Sequence, residues 1–158
     1  RGTFDDTMVF ETSMGRKGKR QMDQETLFFE EKNGKTAETK ENETIIHAKS
    51  IKKIFESLCL SRLTTLQGRT MAVQKQFGYR YNAPVYLGPG MIFFRIRTED
   101  AVYWINGEKT IFVRGTGETT VISFRGGKTL RVEKPPKTVR AAYEKALEIG
   151  NFINRLHL

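Results

Sequence analysis

Between Ala83 and Val132 the chain breaks into six short apolar segments: Pro84–Leu87, Met91–Ile96, Ala101–Ile105, Lys109–Val113, Thr119–Phe124 and Lys128–Val132. Glycine-rich punctuation (GPG, NG, GTG and RGG) separates most of them. Each segment is too short for a stable helix, and glycine supplies the backbone freedom that tight turns need. Short strands at spacings of roughly 8–12 residues with such turns predict an antiparallel β-sheet or a small barrel of about five or six short strands.

Helical patterns flank this region. Ser50–Leu60 predicts a short helix, with Ser50 as N-cap and Ile51, Ile54, Phe55 and Leu58 on one face. Thr65–Phe77 predicts a second, with Leu66, Thr70, Val73 and Phe77 inward and Gly78 placed to end it. Its internal Gly68 costs about 1 kcal/mol relative to alanine. After Pro135 and Pro136, Lys137–Leu156 carries a stripe of Val139, Tyr143, Ala146, Ile149, Ile153 and Leu156, a C-terminal amphipathic helix. At the other end, Asp6–Thr12 and Glu25–Glu31 are rich in strand-favouring residues around the basic stretch Met14–Arg20, and predict an N-terminal β-hairpin. The segment 32–43 is almost wholly polar without a periodic apolar face, and is expected to be a flexible loop. The expected class is therefore α+β, and 158 residues suit one domain spanning 1–158.

The net charge of +9 is unevenly spread. Residues 1–50 hold 9 basic and 10 acidic groups, whereas residues 51–158 hold 18 and 8. Ser57–Thr98 contains six arginines and lysines and no Asp or Glu. A field of one sign attracts polyanions and releases their counterions on binding. No apolar run approaches the roughly 18 residues of a membrane span, and nothing within the chain resembles a signal peptide. With a single cysteine, Cys59, no disulfide can close within the chain, and a cytoplasmic location is expected.

The sequence offers little for catalysis. It has two histidines, His47 and His157, and lacks HExxH, CxxC, GxSxG and P-loop patterns, so no catalytic residue, metal site or cofactor is assigned. Cys59 falls near the inner face of its helix, the setting of an inert buried thiol. What remains is basic and polar. Arg62, Arg69 and Gln76 recur every seven residues with Thr65 between them in angle, a stripe suited to phosphates and base edges. Lys75 lies off that stripe and suits a backbone contact. Arg80, Arg95 and Arg97 follow, and Tyr79 and Tyr81 flank Arg80.

The segment LCLSRLTTLQGRTMAVQKQFGYRYNAPVYL (Leu58–Leu87) resembles the central signature of the ComK family of competence transcription factors, through Cys59, Gly68, Arg69, Tyr79, Tyr81 and Pro84. MIFFRIRT, VYWIN, VISFRGGKTLRV, the final helix and the opening TMVFETSMGRKGKRQMDQETLFFEE continue the likeness over nearly the whole chain. The sequence departs from the family pattern at Arg62-Leu63, at Arg95-Ile96-Arg97-Thr98 and in the polar stretch 32–43. The resemblance implies a transcriptional activator that binds AT-rich double-stranded DNA, largely through the minor groove. It also implies a homo-oligomer, dimer or tetramer, under the control of a proteolytic adaptor protein. On this basis Arg62, Arg69, Lys75, Gln76, Arg80, Arg95 and Arg97 are the candidate DNA contacts. Two other readings compete: a small RNA- or single-strand-binding protein using Tyr79, Tyr81 and Phe94, and a basic module that docks an acidic protein.

Overall fold

The computed structural model describes residues 25–156. Among these, nine strands form two antiparallel sheets, accompanied by three α-helices. The strands are β1 (Thr26–Lys32), β2 (Lys35–Lys40), β3 (Thr44–His47), β4 (Val85–Gly88), β5 (Met91–Arg97), β6 (Val102–Asn106), β7 (Thr110–Thr116), β8 (Thr119–Phe124) and β9 (Thr129–Val132). The helices are α1 (Ile51–Leu60), α2 (Leu66–Phe77) and α3 (Pro136–Leu156). The larger sheet runs in the order β3-β2-β1-β6-β5-β4 and the smaller one β7-β8-β9. Neither closes, so the barrel alternative gives way to two open sheets.

The α+β class, the two short central helices and the C-terminal helix agree with the sequence reading. Ser50 caps α1 by accepting from the Lys53 amide at 3.3 Å. Thr65 caps α2 by accepting from the Gly68 amide at 3.0 Å, and Gly78 ends that helix in the left-handed region at φ +72°. The stripe of α3 is buried at Val139, Ala146 and Ile149, but Leu156, in its last turn, is 65% exposed.

The amino-terminal expectations need correction. Asp6–Thr12 and Met14–Arg20 lie outside the described residues. β1 pairs instead with β2 on one side and β6 on the other. Segment 32–43, expected to be a flexible loop, contains the turn Asn33-Gly34 and the strand β2. Both turn residues have positive φ, +52° and +77°, the requirement of a two-residue hairpin turn that matches strand twist. β2 lacks apolar alternation because its covered positions, Thr36, Glu38, Thr39 and Lys40, are polar. The structure satisfies such groups with partners. Glu38 accepts a hydrogen bond from the Thr26 hydroxyl, and its other carboxylate oxygen lies 2.8 Å from His47 Nε2 on β3.

The six-stranded sheet buries both faces. On one, Phe29 and Phe93 meet Ile51, Ile54, Phe55 and Cys59 of α1, with Leu87 and Met91 alongside. The rings of Phe29, Phe55 and Phe93 lie 5.4–5.6 Å apart. On the other face, Ile92, Phe94, Ile96 and Ile105 meet Val139, Ala146 and Ile149 of α3 and Val113, Ile122, Phe124 and Val132 of the smaller sheet. Helix α2 lies against the edge strand β4 and contributes to both layers, Leu66 to the first and Val73 to the second. An edge strand is thereby covered along part of its length, which limits unwanted strand pairing.

Candidate nucleic-acid interface

Strand β4 is short and pairs with β5 only as far as Val85 opposite Phe93. The following residues of β5 therefore run past the end of β4. There Arg95, Ile96 and Arg97, together with Asn82, border a cleft with Lys134, Thr138, Ala141, Ala142 and Lys145 from the chain leading into α3 and from its first turns. Alternation along β5 puts Ile96 on the α3 face and the Arg95 and Arg97 side chains on the α1 face, with Phe93 and Trp104. The cleft, at this edge of the sheet, measures about 270 Å³ and has no carboxylate in its lining among the described residues. Lys145 also fixes the loop beside it, donating from Nζ to the Tyr81 carbonyl at 2.9 Å. Arg80 sits exposed in that loop, next to the cleft. Arg97 additionally borders a more open hollow that carries Glu31, Glu99 and Asp100.

At the opposite end of β4 the other two arginines come together. Arg62 lies in the turn between α1 and α2, outside the helix, so the seven-residue stripe belongs to two elements. Its Nη1 donates to the Leu58 carbonyl at 3.2 Å, one of the orphan acceptors at the end of α1. A β-carbon on Gly88 would lie 3.3 Å from Arg62 Nε, so glycine there lets the guanidinium pass. Arg69 packs its guanidinium 4.8 Å from the centre of the Tyr86 ring. Gln76 shares the angular position of Arg69 two turns on and is exposed, while Lys75 is exposed well away from it. Arg62 and Arg69 thus stand against β4, Arg80 is exposed in the loop before it, Arg95 and Arg97 lie on the α1 face of β5, and Lys75 and Gln76 are exposed on α2.

Among the described residues the ion pairs are His47–Glu38 and Arg131–Glu133, and neither involves these basic groups. Arg95 rests instead on the Trp104 ring, with its guanidinium carbon 6.0 Å from the centre. Stacked arginines keep donors free for phosphate oxygens. Lys134 and Lys145 are not legible as partners in the sequence because they lie 37 and 48 residues beyond Arg97, outside its strand. The cue in sequence was only that Lys134 precedes the helix and that Lys145 lies on its non-apolar side.

The aromatic residues near Arg80 are differently engaged. Tyr79 stacks on Phe77 with ring centres 5.5 Å apart, carries Lys145 Nζ at 5.2 Å from its ring, and donates its hydroxyl to Glu148. Burial, then the hydrogen bond and charge of Glu148, push its hydroxyl pKa up. Phe94 is fully buried. Of the three rings a single-strand reader would use, Tyr81 alone is exposed, at 78%. Cys59 is fully buried, and burial pushes its thiol pKa up despite Arg69 and Arg62 nearby.

Among the described residues no group of three or more His, Cys, Asp or Glu side chains is placed to hold a metal ion. No helix there is long and apolar enough to cross a membrane. Comparison of the chain with protein-family models, curated proteins and solved structures yields no match.

Proposed function

We propose that this protein is a DNA-binding transcriptional regulator of the ComK type, an activator that grips AT-rich duplex largely through the minor groove. The observation that supports this reading is the set of arginines beside β4 and β5, none of them in an ion pair among the described residues, next to an edge cleft that Lys134 and Lys145 border. Nucleic-acid backbones present regularly spaced anions, and a row of unpaired guanidinium and ammonium groups gains affinity by displacing their counterions. The minor groove of A-tracts is narrow and strongly negative, and arginines read it with few base-edge hydrogen bonds. On this reading the protein acts in the cytoplasm as a dimer or tetramer, with an adaptor protein controlling its turnover. No enzymatic step is assigned to it.

A gel-shift titration at fixed salt tests the proposal, using AT-rich duplex against GC-rich duplex and single-stranded competitors. AT-rich duplex should bind tightest and resist competition. Preference for single strands would transfer the protein to the RNA-binding class. Indifference to every nucleic acid at low salt would leave its basic surface to an acidic protein partner.

A further inference from the structure

The turn between α1 and α2 presents Leu63, which at 97% is the most exposed large apolar side chain among the described residues. Its backbone has φ +60°, the left-handed region that a side chain makes unfavourable. The hydrogen bonds explain the geometry. Leu63 N donates to Leu60 O and Thr64 N to Cys59 O, each at 3.0 Å, the paired closure of a helix end by a left-handed residue. Glycine is the usual occupant of that position. Here a leucine takes it, and its side chain buries almost no surface in return. Neither local propensity nor core packing accounts for Leu63. An unfavourable backbone angle held at an exposed position is a reason to look for a function.

The surroundings indicate what Leu63 meets. Leu60, 65% exposed, lies one turn earlier, and Arg62 immediately precedes it. Arg69 stands in the first turns of the next helix. No carboxylate approaches either guanidinium within 4.0 Å among the described residues, and Ser57–Thr98 contains none at all. An exposed apolar tip that follows Arg62 directly, with Arg69 in the next helix, matches a surface with anionic rims and an apolar interior. Stacked base pairs between phosphate walls have that character. Minor-groove proteins insert such side chains between base steps while basic residues hold the walls. The paired closure also ties the tip to α1, so it can push without folding back.

We propose that Leu63 is a wedge that enters the minor groove and parts one base step, kinking the duplex, while Arg62 and Arg69 hold the flanking phosphates. This rests on the DNA reading above. A TA step, among the most easily unstacked, is the expected point of entry.

The test uses the full chain and an AT-rich duplex with a central TA step, end-labelled for energy transfer and carrying 2-aminopurine beside that step. The wild type should bind, kink the duplex by roughly 20–90° and raise the 2-aminopurine fluorescence. Leu63→Gly and Leu63→Asn both suit the left-handed backbone, so each should fold with an undiminished melting temperature. Both variants should still bind with the wild-type salt slope, yet lose the kink and the fluorescence signal. Variants that bind and kink as the wild type does would overturn the wedge and leave Leu63 to a protein partner. A wild type that binds without kink or fluorescence change would overturn it equally. A wild type that does not bind duplex at low salt would remove the DNA reading itself, a failure visible before any variant is made.

Discussion

The carboxamide of Asn106, fully buried, uses all its hydrogen-bonding capacity on backbone. Its Nδ2 donates to the Thr26 carbonyl at 2.9 Å and the Gly90 carbonyl at 2.8 Å. Its Oδ1 accepts from Ile92 N at 3.3 Å and Glu108 N at 3.1 Å. One side chain thereby ties β1, the β4–β5 turn and the start of the turn after β6. Removing a partner from a buried polar group costs about 1–3 kcal/mol for each group left unmet. Asn106→Ala should therefore destabilise the fold by at least about 3 kcal/mol, read as a shift in urea midpoint at unchanged slope. Asn106→Asp should also destabilise, since a carboxylate has no donor for the two carbonyls that Nδ2 serves. In sequence, Asn106-Gly107 reads only as a turn. The four partners are invisible there because they come from segments up to eighty residues away.

At the scale of elements, β2 is where the sequence reading and the structure part. A strand is recognisable when one face is apolar and the other polar, and β2 offers threonine, glutamate and lysine to its covered positions. Its neighbours supply what alternation does not: β1 pairs along one side and β3 along the other, and Glu38 bridges to both through Thr26 and His47. The Asn33-Gly34 turn was the one legible cue. Burial alone would push the Glu38 carboxyl up, but the His47 hydrogen bond, the nearby Lys40 charge and the Thr26 hydroxyl outweigh it, and the pKa falls below its usual 4.5. A carboxyl held down in the folded state contributes stability above its unfolded pKa and loses it as pH falls through the folded value. The stability advantage of the wild type over Glu38→Gln should accordingly shrink as pH drops below 4.5, followed by urea midpoints across an acid series. An advantage that stays constant or grows on acidification would contradict this account. Helices α1 and α2 raised no such difficulty, because caps and periodic apolar residues lie within each segment.

For the molecule as a whole, the cations matter through their sum. Salt dependence of binding counts the phosphates a protein neutralises, so each basic contact removed should lower the slope by about one unit. Arg69→Ala and Arg80→Ala, at opposite ends of β4, should each do this while leaving the fold intact, and Lys134→Ala should do the same from within the cleft. A salt titration of these variants against AT-rich duplex decides it. Unchanged slopes in all three would detach these basic groups from DNA binding. Loss for Arg69 and Arg80 without Lys134 would confine the contact to the β4 edge. Lys145 is less informative, since it also holds the Tyr81 carbonyl. The sequence by itself determined the α+β class, the three helices with the Ser50 and Gly78 caps, most strands after Ala83, and a basic middle free of carboxylates. Each of these is written in local periodicity, turn chemistry or composition. Only the tertiary structure decided that the strands form two open sheets and that β1 pairs with β2 and β6. It alone set Lys134 and Lys145 beside the free edge of β5, and turned Tyr79 and Phe94 inward. Those outcomes depend on contacts between residues far apart in the chain, and such pairings carry no local signature until burial and charge are satisfied together.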